Sequence, residues 1–144
     1  EVQPKGWTVE RAAAIADGTA EGEDAKLRAF PLRAYVHSGV ALSLGSSYPF
    51  NDRWDSGQVG FVVVDPAEIG DDAPEGAARA RVDAWNQYLS GDVWGYVVER
   101  VTRCNMGCEH LEHVDSCWGH YGEAYAREMG EEALEGARKG EVTA

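Results

Sequence analysis

Basic residues are scarce in this chain. Thirteen Lys and Arg stand against 25 Asp and Glu in 144 residues, for a formal charge of -12. That excludes non-specific nucleic-acid binding, because phosphate contacts need Lys and Arg to release counterions, and no basic stripe interrupts the deficit. No apolar run approaches the length that crosses a bilayer. The N-terminal EVQPKGWTVE has no charged-then-apolar signal pattern, so the expectation is a soluble protein of the host cytoplasm with no membrane partner. Cysteine is rare too. Three is an odd number, which argues against a paired disulfide framework and for reduced thiols. The GK[ST] of a phosphate loop, the HExxH of a zinc hydrolase and the tight C-x2-C pair are all missing.

What is present fits one folded domain over residues 1–144: 44% of residues are hydrophobic, enough for a core at this length. Residues 1–29 read as a short helix, which Thr8 can cap, and an acidic connection. LRAYVHSGVALSLG reads as two strands meeting at Ser38-Gly39, and QVGFVVVD as a third. EGAARARVDAWNQYLSGD is the strongest helix, with Ala78, Val82, Trp85 and Leu89 as its apolar stripe and Gly91 as its stop. VWGYVVERVTR reads as a strand, HVDSCWG as another, and EAYAREMGEEALEGARKG as a helix with Tyr125, Met129, Ala133 and Ala137 on one side. Residues 140–144 are expected to fray. The order predicts an α+β fold: a mainly antiparallel sheet of about four or five strands with helices packed on it.

Three blocks carry a resemblance: WDSGQVGF (Trp54 to Phe61), WNQYLSGDVWGYVVE (Trp85 to Glu99) and DSCWGHYG (Asp115 to Gly122). They resemble a family of small proteins of phages and mobile elements, whose members carry DSGQVGF, YxQYLxGxVYGY and DSCWGFYG blocks in this order. The similarity spans about Tyr35 to Arg127. It implies a phage or mobile-element origin and, by analogy with other small acidic proteins of such genomes, an anti-defence role. His120 stands where the family has an aromatic, and Cys104, Cys108 and His110 are not usual as a set there.

All three cysteines and three of the four histidines lie in CNMGCEHLEHVDSCWGHYG. Thiolate and imidazole are the ligands zinc prefers, so Cys104, Cys108, His113 and Cys117 form a candidate structural zinc set, with His110 and His120 as alternates. The plainer interpretation is a buried Cys117 and surface histidines. A thiol–imidazole pair needs His113 and Cys117 on one strand face, which a four-residue separation permits. The acidic connection Asp65, Glu68, Asp71, Asp72 and Glu75 and the aromatic loop Tyr48, Phe50 and Trp54 are the candidate binding residues. Large aromatics in a polar loop suit an interface better than a core.

Together these features predict a non-enzymatic, acidic binding protein. Its partner would be a host protein, such as a nucleic-acid-binding defence complex, whose basic surface it covers in the manner of an anti-CRISPR or anti-restriction inhibitor. A small zinc- or thiol-dependent hydrolase and a structural or host-takeover interaction protein are the alternatives.

Overall fold

The structure, a computed structural model, describes residues 6–45 and 54–142. The chain has an α+β fold and divides into two compact units, Glu1–Ser90 and Gly91–Ala144. Among the described residues there are five strands, all paired antiparallel, and they form a three-stranded sheet and a two-stranded ribbon rather than one sheet.

In the first unit, α1 (Val9–Ala16) begins where the Thr8 hydroxyl accepts the Arg11 N–H at 3.2 Å, satisfying one of the first turn's orphan donors. A 3-10 turn, Gly22–Lys26, leads into β1 (Arg28–Val36), so the first strand starts just before residue 29. β1 turns through His37-Ser38-Gly39 into β2 (Val40–Leu44), as the Ser-Gly pair predicts, and also pairs with β3 (Ser56–Val64) in the order β2-β1-β3. Pro31 is tolerated in this central strand because its last rung with β2 is Leu32 opposite Leu44. β3 carries an extra residue where the partners step from Gly60 to Gln58, a bulge that leaves Val59 unpaired and exposed.

α2 (Pro74–Ser90) starts on proline, whose missing N–H costs nothing at that position, and ends before Gly91 at φ +76°. Ala78 and Val82 are buried with Ala12, Ile15, Ala34 and Val64, the first unit's core. The predicted stripe does not continue: Trp85 and Leu89 are exposed. The inward position one turn beyond Val82 belongs to Asn86. Its side chain accepts the Leu42 N–H at 2.7 Å and donates to the Leu42 C=O at 2.9 Å, so α2 caps the open edge of β2 with a polar clamp.

Arg11 ties α1 to the 3-10 turn. Its guanidinium donates twice to Asp24, at 2.6 Å each, and stacks 4.2 Å from the Trp7 ring centroid. The Arg11 hydrogen bonds hold the Asp24 carboxyl below its usual range. A depressed carboxyl contributes stability that is present above the unfolded-state pKa and lost as pH falls through the folded one. Arg11→Gln is therefore expected to lower stability at neutral pH and to flatten its decline on acidification. Melting temperatures from pH 7 down to about 2.5 check this, and parallel profiles for the two proteins would contradict it.

In the second unit, β4 (Val93–Arg103) and β5 (Glu109–Tyr121) form a long hairpin, and α3 (Glu123–Val142) packs on it. β5 starts at Glu109, earlier than the predicted start at His113, so His110 is a strand residue as well as His113. α3 continues through residues 140–142, where fraying is predicted. Two register shifts leave Val114 and Gly119 as extra residues on β5. Gly119 sits at φ +93°, backbone that favours glycine at such a bulge. Each shift inverts the side-chain alternation along β5 relative to a regular strand.

Paired residues share a face. Trp94, Tyr96, Val98 and Arg100, with partners His120, Cys117, Asp115 and Glu112, take the face toward α3. There Gly130 lets the helix approach Tyr96: a Cβ added at Gly130 would stand 3.1 Å from the Tyr96 Cβ. Val98 and Ala126 are buried at this contact, and His120 lies between the Tyr96 ring (5.7 Å, stacked) and the Tyr125 ring (5.5 Å, edge-on). Val97, Val101, Leu111, Ser116, Trp118 and Tyr121 occupy the opposite face.

Candidate functional site

The Cys/His residues are strung along the ribbon rather than gathered. Cys104 and Cys108 close the turn at one end, and Cys117 lies nine residues from Cys108. At about 3.3 Å per strand residue that is roughly 30 Å. His113 pairs with Glu99 on the open face, whereas Cys117 pairs with Tyr96 on the α3 face. The bulge at Val114 causes this separation, since without it residues four apart would share a face. His113 Nε2 instead meets Ser116 Oγ at 3.0 Å, and the Cys117 thiol points to the Trp118 carbonyl oxygen at 3.9 Å. Cys117 is exposed, not a buried small hydrophobe. Among the described residues no three His, Cys, Asp or Glu side chains form a metal-binding group. The alternates are dispersed as well: His110 is opposite Thr102, and His120 is opposite Trp94.

The two ends of the ribbon differ chemically. At the turn, backbone N–H groups of Met106 and then Cys108 donate to the Cys104 sulfur and hold its pKa below the ordinary thiol value. At the α3 face, burial, and next the charge of Asp115, push the Tyr96 phenol up; its hydroxyl donates to Asp115 at 3.3 Å. Asp115 also accepts the Ser116 N–H at 2.8 Å, the local capping that the Asp-Ser pair suggests. In the first unit, Asp55 meets His37 Nδ1 at 2.9 Å.

The acidic connection is partly consumed by structure. Asp65 accepts the Ala67 N–H at 2.9 Å and starts a 3-10 turn at Pro66, while Glu75 pairs with Arg79 at 2.9 Å. Glu68, Asp71 and Asp72 are exposed. Trp54 is 95% exposed. Tyr48 and Phe50 lie outside the described residues.

A second acidic surface, not among the predicted site residues, lies on α3. Ala126, Met129, Gly130, Ala133 and Ala137 are its less exposed residues. At 100° per residue, Glu128, Glu131, Glu132 and Glu135 fall on the opposite side, and all four are exposed. The spacing E-x2-E-E-x2-E is the sequence signal for this stripe, legible once the small residues are taken as the packed side. Compared with family models, curated proteins and solved structures, the chain shows no match.

Proposed function

We propose that this chain is a non-enzymatic binding protein of phage or mobile-element origin that inhibits a host defence system by covering a basic, nucleic-acid-binding surface of one of its proteins. The observation that carries this reading is the α3 stripe. Glu128 to Glu135 places four carboxylates in about 10 Å of helix, of which Glu135 is ion-paired with Lys139 at 3.4 Å; duplex DNA presents about six phosphates over the same length. α3 is packed on its opposite side, so the stripe is held on a rigid element. Glu68, Asp71 and Asp72 extend the same chemistry in the first unit.

The test is affinity capture from host lysate followed by binding titrations with the captured protein. E131K/E132K is expected to weaken binding at least about tenfold near 0.1 M salt, with the difference shrinking toward 0.5 M as screening shortens. D71K/D72K tests the other surface in the same way. Duplex nucleic acid should compete with the chain for the captured protein. Unchanged affinity in both variants, or indifference to salt, contradicts the reading.

A second reading, a structural or host-takeover component, is favoured by a separate observation. The open ribbon face exposes Val97, Val101, Leu111 and Trp118, the last to 74%, and contiguous exposed apolar surface marks interfaces. Mass measurement of the assembled state in solution bears on it directly.

A further inference from the structure

The turn that joins β4 to β5 holds two cysteines on one rung. Arg103 pairs with Glu109, and their side chains form an ion pair at 2.6 Å that pins the register. One step further out, the Cys104 N–H donates to the Cys108 C=O at 3.0 Å, and the Gly107 N–H donates to the Cys104 C=O at 2.9 Å. Gly107 takes φ +81°. This is a three-residue loop with a glycine bulge: Cys104 faces Gly107 and Cys108 together, and one ladder hydrogen bond, from the Cys104 N–H to the Cys108 C=O, sets the two cysteines across from each other. Facing residues of an antiparallel ladder have Cα atoms about 4.5–5.5 Å apart, inside the range a disulfide spans. Their side chains leave the same face of the ribbon. Cys108 is exposed and Cys104 half-exposed.

We infer that Cys104 and Cys108 form a reversible intrachain disulfide when the protein meets a low-molecular-weight disulfide of the glutathione class. This stands independently of the acidic surface. In the first step the Cys104 thiolate attacks one sulfur of the small disulfide, forming a mixed disulfide and releasing one small thiolate, which takes up a proton. In the second, Cys108 loses its proton and its sulfur attacks the Cys104 sulfur, expelling the second small thiol. Two protein thiols are oxidised and one small disulfide is reduced to two thiols. The same two steps run with the roles of Cys104 and Cys108 exchanged, and they end in the same bridge. Cys117 is the internal contrast: the residue opposite it is Tyr96, so no second thiol faces it across the ribbon. Reversibility follows from geometry. Facing Cβ atoms of a ladder stand about 4.5–5.5 Å apart and must close to about 3.8 Å, and a bridge that distorts its surroundings is easier to reduce.

The experiment is incubation of the folded chain with oxidised glutathione, alkylation of residual thiols and peptide mapping without reductant. The expected product is a Cys104–Cys108 bridge that leaves Cys117 outside it, with both thiols regenerated by reduced glutathione. Cys108→Ser should stop at one glutathione on Cys104. Full alkylation of Cys104 and Cys108 in the wild type would overturn the inference. So would a mixed disulfide that persists with Cys108 present, or a bridge to Cys117.

Discussion

Replacing Gly95 with alanine is expected to destabilise the β4–β5 ribbon by about 2 kcal/mol. Glycine in a strand interior normally weakens the strand, and alanine there is worth roughly 0.5–1 kcal/mol in the other direction. Gly95 is the exception because its partner is Trp118. The indole lies across the glycine. A Cβ built at position 95 overlaps the Trp118 ring and comes within 2.8 Å of the Cys117 carbonyl oxygen. The ring is exposed and can swing away, but the carbonyl belongs to the ladder and cannot. Two obstacles of different kind predict a partial rescue: in a Trp118→Ala background the cost of Gly95→Ala should fall without vanishing. Amide hydrogen exchange along β4 and β5 is the appropriate measurement, because it reads the second unit without requiring the whole chain to melt as one. A loss of 2 kcal/mol appears as exchange about thirtyfold faster. Unchanged or slower exchange in Gly95→Ala would show that the indole does not occupy this place.

Gly95 also marks what could and could not be read in the sequence. Close backbone approach is suggested there by the glycines of DSGQVGF, yet a Cβ at Gly57 or Gly60 meets nothing within 4 Å. The tight approach is at Gly95, where a glycine faces an aromatic across the ribbon, and that pairing depends on register. Register is the main illegible quantity throughout. The strands themselves, the Ser38-Gly39 turn and the three helices follow from periodicity and turn formers, which are local. The extra residues at Val114 and Gly119 arise from how β5 pairs with β4, and they decide that His113 and Cys117 face opposite ways. The described structure does not bring Cys104, Cys108, His113 and Cys117 together, for this reason and because an extended strand keeps its ends apart. The α3 stripe shows the converse. Its glutamates were legible as a helical pattern, but their outward direction needed the packed side, set by Ala126 and Gly130 against the ribbon.

Asn86→Ala is the second large effect expected, a loss of about 2–3 kcal/mol from the first unit. The helical pattern assigns the inward stripe of α2 to Trp85, because tryptophan is apolar and asparagine is not. The structure places Trp85 outside, against Tyr88 at 5.9 Å, and turns Asn86 toward Leu42. That choice has a physical reason. β2 is an edge strand, so the outer N–H and C=O of Leu42 have no strand to pair with. An amide side chain supplies one acceptor and one donor on a single group, at 2.7 and 2.9 Å. Alanine removes both and leaves two partly buried backbone groups unpaired, and the edge of β2 becomes free to pair with another chain. Asn86→Asp separates the two halves of the clamp. Its ionised carboxylate still accepts the Leu42 N–H but sets a negative oxygen against the Leu42 C=O. Its protonated form has a donor again, so folding should raise the pKa of that carboxyl. Below the unfolded-state value near 3.9 the Asp variant therefore keeps most of its stability relative to wild type, and the deficit grows as pH rises through the raised folded value. Stability curves for the wild type, Asn86→Ala and Asn86→Asp at about pH 4 and 7 distinguish these cases. A pH-independent deficit in the Asp variant, or an Ala variant as stable as the parent, would mean that α2 holds β2 by apolar contact and not through the amide.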